Sequence, residues 1–406
     1  MDCGLSIMEK NINNIEWLVG NYDEIVAAKP LQPFADEVLD DLNKLSVAIL
    51  HDPISRQYPD VVTFAFFCRK ANLSKLREEY GFGDSKIENR KSKIRLGRGL
   101  IFHIAPSNVP VNFAYSMVAG LLAGNTNVVR VSQKQFPQVD LIVKHMREMG
   151  MHRVAVVRYP HESNANEVFS AMSDVRVIWG GDETIAKIRQ NPIKPRAFDV
   201  CFADRYSVAV INADKILNSA SRIVEGLAER FYNDTYLFDQ NACSAPHLIL
   251  WIGKNISTAQ EIFWKAVYAY VRKKYQFQEK MAVDKLTALY KQAVVMPLKE
   301  ESCHDNMLRR VMLDTLPTNI DEYRCSCGYF SEYQAQSLDD LAHIVTPKYQ
   351  TLAYYGFTKD ELMSFVMRSK LQGLDRIVPF GETTAFSLTW DGWNLIDTLS
   401  RVISVL

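Results

Sequence analysis

Apolar residues recur at helical spacing through the first part of the chain: Phe34, Val38, Leu42 and Leu45, then Leu73, Leu76 and Tyr80. Residues 1–95 therefore read as mainly helical. Gly81-Phe82-Gly83 breaks the second pattern, and a basic stretch over residues 86–98 leads into a different one. From residue 100 the period shortens. Residues 100–104 are a short apolar run of the kind a buried strand needs, followed by the turn sequence Pro106-Ser107-Asn108-Val109-Pro110 and a helix over about 111–123. Gly124-Asn125 stops that helix, with proline just before its start and glycine just past its end. The alternation then repeats: strand 127–131, helix 139–149, strand 153–159, helix 164–172, strand 175–179, the pair Gly180-Gly181, and helix 183–190.

Strands alternating with helices through short connections make a parallel sheet covered on both faces. Residues 100–210 are accordingly expected to form an α/β, doubly wound unit of the nucleotide-binding type. Beyond residue 212 the pattern predicts a helix near 216–232, a loop containing Cys243, a strand at 248–252 and further mixed elements, a second α/β domain. Leu395, Ile396, Leu399, Val402 and Ile403 fall on one helical face, either core or a subunit contact of a homo-oligomer. The expected divisions are 1–205, 206–375 and a C-terminal segment 376–406 that packs back on the first domain or on another subunit.

At 406 residues the chain is long enough for two sizeable cores. Its 48% apolar and 23% charged residues are ordinary for a soluble globular protein. Lys+Arg and Asp+Glu both total 47, a balance that gives no support to nucleic-acid binding. The apolar run 61–68 is far short of the roughly 20 residues of a membrane span, and the N-terminal residues do not read as a secretory signal. Seven scattered cysteines argue against a disulfide framework and for a reducing cytoplasm, where a catalytic thiol stays usable.

Three segments could carry chemistry. At Trp179-Gly180-Gly181-Asp182-Glu183-Thr184, glycines between a strand and a helix would let the backbone approach a pyrophosphate at a helix N-terminus; the alternative is a tight turn that needs glycine for its torsions. Asn108 follows the first strand of the parallel unit, where ligands gather, and its amide could donate to an oxyanion; otherwise it is a turn residue bonded to its own backbone. Cys243, in Gln240-Asn241-Ala242-Cys243-Ser244-Ala245-Pro246, has the small neighbours that a nucleophile needs to admit substrate and cofactor, although a buried structural thiol is a common fate of cysteine. His247 is a weaker candidate for a base. Cys303-His304 and Cys325-Ser326-Cys327 do not match the C-x₂₋₄-C pairing of structural zinc sites.

Together these segments resemble the aldehyde dehydrogenase superfamily and, within it, the acyl-CoA reductases of the bacterial luminescence type. Residues 104–110 are similar to its Pro-x-Asn-x-Pro motif, 121–131 to its Ala-Gly-Asn-Thr helix end, 179–181 to its phosphate turn and 240–246 to the strip around its nucleophile. Residues 58–73, 375–381 and 390–401 resemble the acyl-CoA reductase branch. The resemblance implies that Cys243 is the nucleophile and that the Asn108 amide helps form an oxyanion hole. It puts Ala105, Pro106, Ser107, Arg130, Ser132, Gln133, Gly180, Gly181 and Thr184 along a nicotinamide cofactor. Gln133 and Lys134 stand where the superfamily often has a glutamate, which favours NADPH over NADH, because a carboxylate would repel a 2′-phosphate. The stretch matching the superfamily's general-base glutamate is Val200-Cys201-Phe202-Ala203, without a carboxylate, so thiol exchange and reduction of an acyl-enzyme are expected instead of its hydrolysis. The implied substrate is a fatty acyl thioester, presented as acyl-CoA or acyl-protein, with an acyl-protein synthetase as partner. The competing readings are an NAD(P)-dependent aldehyde dehydrogenase yielding acid and a non-catalytic member of an acyl-transfer complex.

Overall fold

The computed structural model describes residues 14–83 and 93–405; the N-terminal segment and most of the basic stretch 86–98 lie outside the described residues. The chain divides into two compact units, one running to Ala203 and resuming at Leu388, the other Asp204–Ser387.

The first unit holds a six-stranded sheet built from β1 (Glu16–Val19), β3 (Leu100–Ile104), β4 (Thr126–Arg130), β5 (Val154–Arg158), β6 (Val175–Trp179) and β7 (Phe198–Phe202), in the order β1-β5-β4-β3-β6-β7. All pairs are parallel except β1 with β5. Every residue of β3 and of β6 is buried, His103 and Arg176 included, which is why both read as largely apolar runs rather than as alternating ones. The intervening helices Asn112–Leu122, Pro137–Glu148, Ala165–Met172 and Asp182–Arg189 lie where the apolar spacing places them. Gly120 lets the first of these close on the sheet, since a Cβ there would collide with the Asn127 side chain.

The second unit holds a seven-stranded sheet built from β8 (Tyr206–Asn212), β9 (Pro246–Ile252), β10 (Leu298–His304), β11 (Leu308–Leu313), β12 (Tyr329–Gln334), β13 (Tyr349–Tyr355) and β14 (Arg376–Pro379). Their order is β10-β11-β12-β9-β8-β13-β14, antiparallel only between β10 and β11. One face is covered by an aromatic core that includes Phe231, Phe263, Trp264, Phe330 and Phe380.

Several expectations are corrected. The edge strand β1 and a further strand, β2 (Lys93–Gly97), interrupt a segment read as mainly helical. β8, within the stretch 100–210 assigned to one unit, pairs in the second sheet. The single helix near 216–232 is two, Ala213–Leu217 and Ser221–Thr235, because the first closes at Asn218. The C-terminal helical face is also shorter: Leu395–Leu399 is helical, with Leu395, Ile396 and Leu399 buried, but Ser400–Ser404 pairs antiparallel with β2. Val402 is consequently 47% exposed. No helix among the described residues is long and apolar enough to cross a membrane.

Candidate active site

In the first sheet the chain leaves β3 toward β4 and β5, then returns to β6 and β7 on the other side. That reversal opens a crevice at the carboxyl ends of β3 and β6, the usual ligand position in doubly wound sheets. The register pairs Ile104 with Arg130 and with Ile178, and the Ala105 N–H donates to the Arg130 carbonyl at 3.1 Å. The loop Ala105-Pro106-Ser107-Asn108, the segment Arg130-Val131-Ser132-Gln133 and the turn Gly180-Gly181 with Thr184 are thereby brought to one edge of one sheet. Ser107, Asn108, Gln133, Gly181 and Thr184 are exposed there, and Ala105 is buried.

The two glycines are not required by torsion. Gly181 is the N-cap of Asp182–Arg189 with φ −67° and ψ 163°, ordinary extended backbone, and Gly180 is not among the positive-φ glycines. A Cβ on Gly180 would touch the Thr184 side chain at 3.2 Å, whereas a Cβ on Gly181 would meet nothing within 4 Å. The turn is thus glycine without a torsional or local packing demand at Gly181, and an open face lies above a helix N-terminus.

Beneath the turn runs a buried, ordered chain of hydrogen bonds. Trp179, stacked on Phe202 at 3.8 Å, donates Nε1–H to Ser116 Oγ at 3.0 Å. Ser116 Oγ lies 2.7 Å from His103 Nδ1, and His103 Nε2 lies 2.8 Å from Asn127 Oδ1. Because Asn127 Oδ1 can only accept, neutral His103 carries its proton on Nε2, and the bare Nδ1 accepts the Ser116 hydroxyl proton. Burial pushes its pKa down to about 4. At the adjacent strand ends, the Arg130 guanidinium lies over the Tyr159 ring at 5.4 Å, and its Nε is buried without a hydrogen bond among the described residues. Arg158, at the end of β5, donates Nε–H to the Ser132 carbonyl at 3.3 Å. The sequence reading missed Arg158; its signal was a cation closing an apolar strand.

In the second unit Cys243 precedes β9 and so lies at the amino edge of its sheet. It is partly exposed and not disulfide-bonded. Cys68, by contrast, is sealed, and burial raises its thiol far above the usual range. The loop leaves its preceding helical turn through two left-handed residues, Asp239 (φ 52°) and Gln240 (φ 59°), a conformation costing roughly 1–2 kcal/mol per non-glycine residue. Ala242, Ser244 and Ala245 are buried around it, and the Ala245 N–H closes a turn on the Ala242 carbonyl at 2.9 Å. His247 packs: it is stacked against Tyr206, it lies 3.1 Å from the Cys325 carbonyl through Nδ1, and burial pushes it down to about 3. An imidazole so weakly basic cannot hold a proton near neutrality. On β7, Asp199 is engaged by Arg176 at 2.7 Å and by Arg189 at 3.3 Å, and residues 200–203 carry no carboxylate. Among the described residues no three His, Cys, Asp or Glu side chains are grouped to hold a metal.

Comparison with known proteins agrees with this architecture. Two curated proteins named long-chain acyl-protein thioester reductase match: that of Aliivibrio fischeri, 24% identical over 39% of this chain and 33% of its own length, and that of Vibrio harveyi, 28% identical over 38% and 32%. The matched region thus spans about a third of either relative. Among solved structures, a 1-pyrroline-5-carboxylate dehydrogenase of Thermus thermophilus superposes with a TM-score of 0.69 at 12% identity, covering 99% of this chain and 86% of that one. A Thermus enzyme of the same name, solved with bound NAD, gives 0.66 at 12% identity, with 99% and 86% covered. A lactaldehyde dehydrogenase of Escherichia coli gives 0.62 at 11%, with 91% and 86% covered. These neighbours show an aldehyde-dehydrogenase fold. The family model for acyl-CoA reductase (LuxC) matches residues 34–402, a span that takes in both sheets apart from β1, the glycine turn and the cysteine loop, and the chain belongs to that family.

Proposed function

We propose that this chain reduces a fatty acyl thioester to the aldehyde through an acyl group carried on Cys243. The observation that carries the reading is a partly exposed thiol on a loop of small, buried neighbours within the span that matches the acyl-CoA reductase family. The Cys243 thiolate attacks the thioester carbonyl, the donor's thiol departs, and the acyl group remains as a thioester on Sγ. Oxyanion stabilisation is assigned to the Asn108 amide and the Cys243 N–H. Such a donor is worth about 10²–10³ in rate. After reduction the thiohemiacetal on Cys243 collapses, releasing aldehyde and regenerating the thiolate. The donor is an acyl-CoA or an acyl-protein, the latter presented by an acyl-protein synthetase.

The residues of the first unit fit a nicotinamide dinucleotide. The open face at Gly181 admits a pyrophosphate, and the buried, unbonded Nε of Arg130 is a donor without its acceptor. Ala105, Pro106, Ser107, Ser132 and Thr184 line the same edge. When bound, this cofactor supplies the hydride. NADPH is favoured over NADH because Gln133 brings no negative charge and Lys134, over the Phe136 ring at 4.9 Å, brings a positive one. Reduction is favoured over acid formation because the strand end at residues 200–203 offers no base for water.

Incubation with acyl-CoAs of graded length, followed by mass spectrometry, tests the reading. One acyl group is expected on Cys243, and Cys243→Ala should abolish both labelling and NADPH-dependent aldehyde formation. Substantial turnover by Cys243→Ala refutes it.

A further inference from the structure

The loop that presents Cys243 leaves its helix through two left-handed residues, and its shape is imposed by side chains on either side. Gln240, 1% exposed, uses every part of its carboxamide. Nε2 donates to the Pro246 carbonyl at 2.9 Å and to the Tyr329 carbonyl at 3.0 Å. Oε1 accepts from the Gly328 and Tyr329 N–H groups at 3.0 and 3.2 Å. The bond to Pro246 closes the loop on itself around residue 243, and the other three fasten it to the entry of β12, the parallel neighbour of β9. The Cys327 N–H reinforces that attachment by donating to the Asp239 carbonyl at 3.0 Å.

From the opposite side, the fully buried Ser207 donates its hydroxyl proton to the carbonyl of Cys243 itself at 2.6 Å, while its Oγ accepts from the Thr351 N–H at 3.2 Å. Ser207 stands where the register between β8 and β9 shifts, so a side chain reaches the Cys243 carbonyl where the regular ladder is interrupted.

We propose that Gln240 and Ser207 are positioning residues, a two-sided clasp that fixes the Cys243 peptide and with it the direction of the thiol and of the adjacent N–H. This rests on the reading of Cys243 as the nucleophile. A carboxamide is required at 240, because a carboxylate keeps the two acceptor contacts but sets oxygen against the Pro246 and Tyr329 carbonyls. Displacement of a reacting group by about 1 Å can cost about 10²-fold in rate, so releasing either side of the clasp slows acyl transfer without altering which acyl donor binds.

The test uses the full chain with Gln240→Glu, Ser207→Ala and Cys243→Ala. Three measurements are made on Gln240→Glu and Ser207→Ala, and steady-state reduction alone on Cys243→Ala: the rate of Cys243 acylation by acyl-CoA, the KM for acyl-CoA in steady-state reduction, and the rate of Cys243 alkylation by iodoacetamide, a small reagent that needs no positioned carbonyl. Gln240→Glu and Ser207→Ala should slow acylation by about 10–100-fold, with KM and alkylation within about threefold of wild type. Should Gln240→Glu not fold, Ser207→Ala decides alone. The clasp is overturned if folded variants acylate at the wild-type rate, or if acylation and alkylation fall in parallel, which would mean mere collapse of the loop. Persistent reduction by Cys243→Ala would instead remove the nucleophile on which the clasp acts. An inactive Cys243→Ala beside an unimpaired Ser207→Ala would reject the clasp alone.

Discussion

Glycines of this chain have opposite reasons for being glycine, and substitution separates them. Gly124 has φ +88°, and a Cβ there would run into the Leu31 carbonyl. Gly124→Ala should therefore cost about 2–4 kcal/mol, seen as a lowered denaturation midpoint. Gly181 has neither constraint. In Gly181→Ala the entropy gained from a stiffer unfolded chain opposes the poorer N-cap, so stability should stay within about 1 kcal/mol of wild type. Its Cβ would nevertheless stand on the open face where a pyrophosphate is proposed to bind. Titration of protein fluorescence with NADPH should show affinity weakened about tenfold, equivalent to about 1.4 kcal/mol. Undiminished affinity would remove Gly181 from the cofactor site.

Among the elements, β12 is tied to the helix Ile256–Lys274 through one buried carboxylate. Glu332 accepts Nε1–H of Trp251 and Trp264 and Nε2–H of Gln260 at 2.8–2.9 Å, and its other oxygen accepts from Arg310 Nε at 2.7 Å. Glu332→Ala leaves those donors and a half-buried guanidinium without their acceptor, at about 3–5 kcal/mol. Urea unfolding of the variant measures this, and a loss under about 1 kcal/mol would show that water replaces the carboxylate. No periodicity announced this node, because a glutamate inside a strand looks like a solvent-facing residue until its partners fold around it. The interior strands β3, β4, β5 and β6 of the first sheet, by contrast, were legible to within a residue or two, since interior parallel strands are largely apolar runs bounded by Gly, Pro and Asn, whereas the edge strands β1 and β7 were not. The C-terminal misreading has a simple cause. Leu399, Val402 and Ile403 satisfy helical spacing by coincidence, while the backbone turns extended at Ser400, and adjacent strand residues 402 and 403 then face opposite ways. For the candidate site the sequence offered single positions, Asn108, Gly180, Gly181 and Cys243. Its supports, Ser116, His103, Ser207 and Gln240, were not legible, because each matters through partners distant in sequence.

At the scale of the whole molecule, acid should weaken the fold in a defined window. Burial holds His103 at about 4 against an ordinary 6.5, so the unfolded chain takes up a proton before the native one does. Stability from this group is complete above about pH 6.5, drains away as pH falls toward 4 and changes no further below that. The full loss is about 3 kcal/mol. His247, at about 3, extends the same loss to lower pH. Asp234 acts in the opposite sense: burial outweighs its three hydrogen bonds from Gly381 and Thr383 and raises it to about 6. Its contribution is present below about 3.8 and disappears as pH rises through 6. Thermal midpoints should therefore fall between pH 7 and 5, and fall more steeply in Asp234→Asn, where the compensating proton uptake is gone. An equal slope in both proteins would contradict the assignment.

The first unit resumes at Leu388, and the strand Ser400–Ser404 supplies the partner of β2. During synthesis at about 5–20 residues per second, the first unit's early strands leave the ribosome long before this closing piece exists, because all of Asp204–Ser387 must be made in between. For roughly ten seconds or more, the nascent first unit lacks Leu395, Ile396 and Leu399, and the main-chain groups of β2 lack their partner. That interval is when the newborn chain is most in need of a chaperone's cover.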